Sequence, residues 1–206
     1  MSQLPSILKL LEQARLGDAG AIDALFAQER EPLRRAVALR LDCRLAARFD
    51  ASDVVQQTLL EAARRLPTYL EEGQISFPLW LRGLARDKLI QLHRRHIRAE
   101  KRAAIRELAP LPADSSAAFV RGMLGREAAP SQAAMAAELA DGLRTAIGRL
   151  DDDERDLILW RHFEQLSNQD VAAILGINAA AASKRYVRAL ERLRVTLLSL
   201  GIADAG

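Results

Sequence analysis

LSNQDVAAILGINAAAASKRYVRALERLR, running from Leu166 to Arg194, is the stretch whose reading decides the fold. Ser167 is followed three residues later by Asp170, a capping-box pattern in which the hydroxyl accepts from the backbone N–H of residue 170 and the carboxylate complements the helix dipole. A short helix is therefore expected to start there. Val171, Ile174 and Leu175 fall at i, i+3 and i+4 on one buried stripe, and Ala172 is small enough to let a second helix cross closely. Gly176 ends the helix because it can take a positive φ without a Cβ clash. Ile177 then plugs the corner, and Asn178 caps the next helix. The spacing predicts that helix from about Ala179 to Leu197, with Ala182, Tyr186, Ala189, Leu190 and Leu193 inward. Ser183, Lys184, Arg185, Arg188, Arg192 and Arg194 point largely outward. From Lys184 to Arg194 there are five cations and one acid, net +4. An isolated basic helix is equally well a solvated face. The capped helix and glycine corner ahead of this one favour a helix-turn-helix whose second helix grips DNA.

Working outward, Met135–Leu150 and Asp151–Gln165 read as two further helices. The acidic run Asp151–Glu154 suits the N-terminus of the second. Leu157, Ile158, Trp160 and Phe163 are expected to pack beneath the helix-turn-helix. Before them, the Pro-, Ala- and Ser-rich stretch from Ala109 to Ala133 has no sustained period and reads as a linker. Phe119, Val120, Met123 and Leu124 form a small apolar knot within it, suited to a short docking helix.

Upstream of the linker, FPLWLRGLARDKLIQLHRRHIRAEKRAAIREL reads as one long helix starting at Phe77. Its apolar side is Phe77, Trp80, Leu81, Leu84, Leu89 and Leu92. From Arg82 to Arg106, nine Lys and Arg residues oppose Asp87 and Glu100, net +7 in 25 residues. So unbalanced a run repels itself unless a polyanion is near, and phosphate contact is the better reading. Pro67–Ser76 reads as a loop carrying Tyr69 and Gln74. The helix before it, opened by Asp50 or Ser52 and ending before Pro67, buries Val54, Val55, Thr58, Leu59, Ala62 and Leu66. That leaves Asp53, Gln56, Gln57, Glu61 and Arg64 for a partner. Nearer the N-terminus, Ile7–Leu11 form a short helix stopped by Gly17, and Asp18 caps a longer one to about Leu41. Pro32 is expected to split it into two pieces, because a proline lacks the N–H a helix interior needs.

With 206 residues, half of them hydrophobic but only 4% aromatic, the chain fits one or two Ala- and Leu-rich helical domains. The net charge is only +3, so the clustering of arginines matters more than the total. The single Cys43 rules out an internal disulfide and suits a reducing cytoplasm. His93 and His96 share a helix face without a third ligand, so neither a metal site, a cofactor nor an enzymatic centre is expected. The N-terminus lacks an export signal, and no apolar run is long enough to span a membrane. The fold class expected is all-α: two helical domains joined by a flexible linker, the second containing the helix-turn-helix.

In this order the blocks resemble a sigma factor of bacterial RNA polymerase, in the small two-domain extracytoplasmic-function group of the sigma-70 family. ASDVVQQTLLEAARRL resembles the family's polymerase-binding helix, and WLRGLARDKLIQLHRRH is similar to its promoter-melting helix. Residues from Leu150 to Arg194 are similar to its C-terminal DNA-binding domain. The resemblance implies domain two over residues 5–105, a linker over 106–134 and domain four over 135–200. It implies core RNA polymerase and promoter DNA as partners and allows for an anti-sigma factor. Asp53, Gln56, Gln57 and Glu61 would face polymerase. Tyr69, Gln74, Trp80, Arg82, Arg86, Lys88, Arg94 and Arg95 would meet the minus-10 element, and Ser183, Lys184, Arg185 and Arg188 the minus-35 duplex.

Two departures stand out. Asp87 replaces the usual Asn of the melting helix, and Ala179–Ala182 stand where a Thr is common, leaving few donors for base edges. The rival classes are a helix-turn-helix regulator that is not a polymerase subunit and a helical protein-binding adaptor. The first should carry a ligand or phosphoacceptor domain with strands, and the second leaves the basic clusters unexplained.

Overall fold

The structure, a computed structural model, describes residues 6–42, 49–96, 108–125 and 133–202. The expected positions Cys43 and 97–106 of the basic run lie outside the described residues, as does the His96 side chain. Helix α1 (Ile7–Arg15) starts at Ser6, whose hydroxyl accepts from the Lys9 amide, and buries Leu10 and Ala14. Asp18 caps α2 (Ala19–Ala38) by accepting from the amides of Gly20 and Ala21.

Pro32 does not split α2, which is one continuous helix, so the expected break is corrected. One lost helical bond and a ring clash cost about 3 kcal/mol. Leu25, Leu33 and Val37 are almost fully buried on one face, and each such side chain contributes about 1.5–3 kcal/mol, so packing wins. Pro67 is overridden in the same way. Helix α3 (Ala51–Glu72) runs through it instead of ending before it. Leu66 is buried, and Tyr69 and Leu70 pack on the same core, which holds the last turn helical. Gly73, at φ 22°, closes it by donating to the Tyr69 carbonyl (2.8 Å). The loop therefore shrinks to Gly73–Ser76, and Tyr69 sits on the helix.

At the start of α3, Asp50 and Asp53 form a reciprocal capping box. All six expected inward residues, Val54 to Leu66, are buried. Helix α4 (Phe77–His96) buries Phe77, Leu81, Leu84, Leu89 and Leu92, with Trp80 partly covered. Helices α1 to α4 share this first core.

The second core begins at Leu108 and Leu111 and takes in α5 (Ala113–Leu124), within the stretch read as linker. Ala117 and Val120 are buried against α6 (Ala133–Gly148), where Leu143 and Ile147 are inaccessible to solvent. The apolar knot foreseen in the linker is this helix. Asp151 caps α7 (Asp152–Ile158) through the Glu154 amide, and a single π-helical turn, Leu159–Phe163, continues it.

The helix-turn-helix follows the expected chemistry closely. Ser167 and Asp170 form the reciprocal box at the start of α8 (Asn168–Leu175). Gly176 adopts φ 63°, and Asn178 caps α9 (Ala179–Ser199) through the Ala181 amide. Ala189, Leu193 and Leu197 of α9 enter the second core. Leu157, Trp160 and Val171 form a third cluster beneath α8, with Tyr186 packed on it, whereas Ile158 belongs to the second core.

The two halves touch. Asp42 and Leu108 form an isolated antiparallel bridge, with the Ala109 amide donating to the Leu41 carbonyl (3.2 Å). Among the described residues no helix is long and apolar enough to cross a membrane.

Candidate nucleic-acid interface

Helix α9 presents Ser183, Lys184, Arg185, Arg188, Arg192 and Arg194 to solvent, because Ala182, Ala189 and Leu193 commit the opposite side to packing. They do not form one uniform row of free cations. The acidic start of α7 lies opposite, and Asp151, Asp152, Asp153 and Glu154 line a cleft of about 570 Å³ with Arg185, Arg188 and Arg192. Arg192 pairs with Glu154 (2.7 Å) and Asp151 (3.5 Å), and Arg185 lies 3.4 Å from Asp153. Lys184, Arg188 and Arg194 make no ion pair among the described residues.

Asp151–Glu154 therefore do more than open a helix, which local sequence could not reveal. Arg161 and His162, next along the chain from this surface, face inward. Arg161 donates to the Leu166 carbonyl (2.6 Å) and lies over the Tyr186 ring, and His162 meets the Tyr186 hydroxyl. Burial, with help from the Arg161 charge, lowers the His162 pKa to about 4.

On α4 and its loop, Trp80 stacks on Tyr69 with ring centroids 4.4 Å apart, and the Tyr69 hydroxyl donates to the Ile75 carbonyl (3.0 Å). Burial pushes the Tyr69 hydroxyl pKa up, against the pull of Arg15. Gln74, Arg94 and Arg95 are exposed and Lys88 half-buried. Arg82 and Arg86 behave differently. Arg82 pairs with Glu164 (2.8 Å), and Arg86 pairs with Asp156 (2.9 Å), Asp153 and its neighbour Asp87 (3.5 Å). Asp87, the departure noted in the sequence, is thus partly neutralised by Arg86.

On α3, Gln56 is exposed and Gln57 half-buried. The Asp53 carboxylate is taken up by the cap, accepting from the Asp50 amide (3.0 Å), and Glu61 pairs with Arg65 (2.7 Å). Leu60 sits among them at 58% exposure, an apolar member of an otherwise polar stripe. No group of three or more His, Cys, Asp or Glu side chains is placed to hold a metal among the described residues.

Two family profiles match the chain in order, Sigma-70 region 2 over residues 26–99 and Sigma-70, region 4 over residues 140–193, together more than half its length. The ECF RNA polymerase sigma factor BldN of Streptomyces coelicolor is 26% identical over 190 residues, covering 91% of this chain and 65% of BldN. The ECF RNA polymerase sigma factor SigD of Mycobacterium tuberculosis is 26% identical over 192 residues, covering 93% of this chain and 84% of SigD. In fold, the chain is similar to CnrH in complex with the cytosolic domain of CnrY, with a TM-score of 0.57 at 24% identity over 95% of this chain and 97% of that one. It is also similar to the sigma factor RpoE in complex with the anti-sigma factor NepR from Bartonella quintana, with a TM-score of 0.53 at 22% identity, covering 83% and 92%. With both family regions matched in order over the two helical cores and relatives aligned across nearly the whole chain, the protein belongs to the sigma-70 family of RNA polymerase sigma factors, in its extracytoplasmic-function group.

Proposed function

We propose that the chain is a sigma subunit that joins core RNA polymerase and directs it to promoters, acting in the cytoplasm by binding and not as an enzyme. The observation that carries this reading is the order of surfaces along one chain, a region 2 match over the basic helix α4 and a region 4 match over the helix-turn-helix. The polar stripe of α3, with Gln56, Gln57 and Glu61 around Leu60, docks on polymerase. Asp53 contributes by fixing the helix start.

Tyr69, Gln74 and Trp80 form the aromatic corner for an unstacked base of the minus-10 element. Arg82, Arg86, Lys88, Arg94 and Arg95 hold its phosphates. Ser183, Lys184, Arg185 and Arg188 grip the minus-35 duplex. Because Ala179–Ala182 offer no side-chain donors, affinity there comes mostly from phosphate and groove shape. Complexes of two structural relatives with CnrY and with the anti-sigma factor NepR make an anti-sigma protein a fitting regulator of this chain as well.

The test is in vitro transcription from a promoter library with core polymerase, with and without the chain. Initiation that depends on the chain and favours one promoter class is the expected result. Specific duplex binding that needs no polymerase, with no gain in initiation, would instead identify a free-standing regulator.

A further inference from the structure

The recognition helix α9 has few side chains that fix its rotation. Between Ala179 and Ala189, the stretch that carries Ser183, Lys184, Arg185 and Arg188, its inward positions are Ala182, Tyr186 and Ala189. The two alanines are inaccessible to solvent, but a methyl group sets how closely a helix approaches and forms only a shallow ridge against rotation. The larger anchors, Leu193 and Leu197, lie further toward the C-terminus. Among the described residues, Tyr186 is thus the one long side chain turned inward in the half of α9 that faces DNA.

Tyr186 is held at its tip and on its face. Its hydroxyl meets His162 Nε2, and the two rings lie 27° from parallel with centroids 5.8 Å apart. The Arg161 guanidinium lies over the Tyr186 ring, 5.5 Å from its centroid, and is itself fastened to the Leu166 carbonyl (2.6 Å) just before the Ser167 cap. Burial favours the neutral form of both tip partners, lowering the His162 pKa to about 4 and pushing that of the Tyr186 hydroxyl up.

His162 is fixed in its turn. Phe119 of α5 packs on its ring with centroids 3.7 Å apart, and its carbonyl accepts from the Gln165 side chain (2.6 Å). Gln165 holds φ 56°, a left-handed conformation that a residue with a Cβ keeps only where its surroundings impose it. Trp160 and His162 leave different sides of the π-helical turn. Trp160 enters the gap between α2 and α4 beside Leu33, Val37, Ala85 and Leu89, where only about 10 Å³ stays open, while His162 turns to α5 and α9.

From this geometry, and resting on the sigma reading above, we infer that Phe119, His162 and Tyr186 are positioning residues for minus-35 recognition: a row of rings from α5 through the π-helical turn to α9 sets the rotation of the recognition helix. They act through Lys184, Arg185 and Arg188. Successive side chains leave a helix about 100° apart, so a turn of α9 about its axis carries all three cations off their phosphates together. The alanine run Ala179–Ala182 adds weight to orientation, because with few donors for base edges discrimination depends on where the cations meet backbone and groove. Helix α5 thereby joins the minus-35 reading unit, although it lies outside the region 4 match at residues 140–193.

The test uses the full chain assembled with core polymerase. Initiation is measured on a promoter the holoenzyme favours and on the same promoter with its minus-35 element scrambled, and the ratio of the two reports minus-35 dependence. Tyr186→Phe removes one oxygen and His162→Leu removes the ring nitrogens, and each should lower the ratio about 5-fold, on the order of one lost hydrogen bond. The double variant should lose no more than either single, since both act through one contact. His162→Gln, which can donate or accept toward Tyr186, should stay within ~2-fold of wild type. Phe119→Ala should lower the ratio in the wild-type background and leave it unchanged in His162→Leu. Initiation on the scrambled promoter should stay at the wild-type level throughout.

A purely structural role would lower initiation from both promoters in proportion, together with the urea midpoint, and that outcome overturns the proposal. An unchanged ratio in Tyr186→Phe and His162→Leu, or losses that add in the double variant, would overturn it as well. So would a wild-type ratio of one, because α9 would then read no minus-35 element. Failure of wild type to initiate with core enzyme on any promoter would overturn the sigma reading instead.

Discussion

His162 shows how much a single side chain depends on its surroundings. Phe119 of α5 packs on its ring, the Tyr186 hydroxyl meets its Nε2, and Arg161 adds a like charge, so the imidazole is held neutral with a pKa of about 4. In the unfolded chain it titrates near the ordinary 6.5. The unfolded state therefore binds a proton that the folded state refuses, and the contribution of His162 to stability is present above 6.5 and lost as pH falls toward 4. Urea unfolding at about pH 7 and about pH 5 should show a smaller acid-induced loss in His162→Gln than in wild type. Equal losses would mean that His162 does not carry this effect. At this scale the sequence was silent, because nothing near position 162 announces that Phe119 and Tyr186 will enclose it.

At the scale of the helix, α9 divides its cations between two tasks. Lys184 and Arg188 make no ion pair among the described residues, whereas Arg192 is tied to Glu154 and Asp151. Duplex binding measured across salt concentrations should lose about 0.9 from the salt slope for each of Lys184→Ala and Arg188→Ala. Arg192→Ala should change the slope less and shift stability by no more than about 1 kcal/mol, since its guanidinium is largely solvated. An unchanged slope for Arg188→Ala would make that side chain an ordinary solvated charge.

Helix α3 gives the matching test for polymerase. Gln56→Ala with Gln57→Ala should weaken binding to core enzyme while moving stability by less than about 0.5 kcal/mol. Both surfaces were legible from the sequence as outward-facing stripes. The internal partners of Asp53, Arg185 and Arg192 were not, apart from the possibility of a cap at the start of α3.

For the molecule as a whole, the stretch between the two matched family regions is partly structural. Leu108, Leu111, Ala117 and Val120 are buried in the second core, and the Arg144 side chain of α6 donates to the Leu108 carbonyl (3.3 Å). A fragment of residues 108–206 should therefore be more stable to urea than one of residues 135–206. The difference should exceed about 3 kcal/mol, given that each fully buried aliphatic side chain contributes about 1.5–3 kcal/mol. Equal midpoints would return α5 to the status of a tether.

Local chemistry was enough for most of the helices. The stripes of α3 and α4, the Ser167–Asp170 box, the Gly176 corner and the Asn178 cap all depend on residues within about one turn of each other, and a linear sequence displays those relations directly. Pro32 and Pro67 misled because a helix breaker acts locally, while the packing that overrides it comes from other helices. What only the tertiary structure decided is which charges find each other. Arg40, Arg82 and Arg86 meet Asp153, Asp156 and Glu164 across at least 67 positions of sequence. Any arginine can pair with any carboxylate, so their sequence context marks no preferred partner. The choice is made when Trp160 fits between α2 and α4 and brings the two sets of charges into a space with almost no room for water.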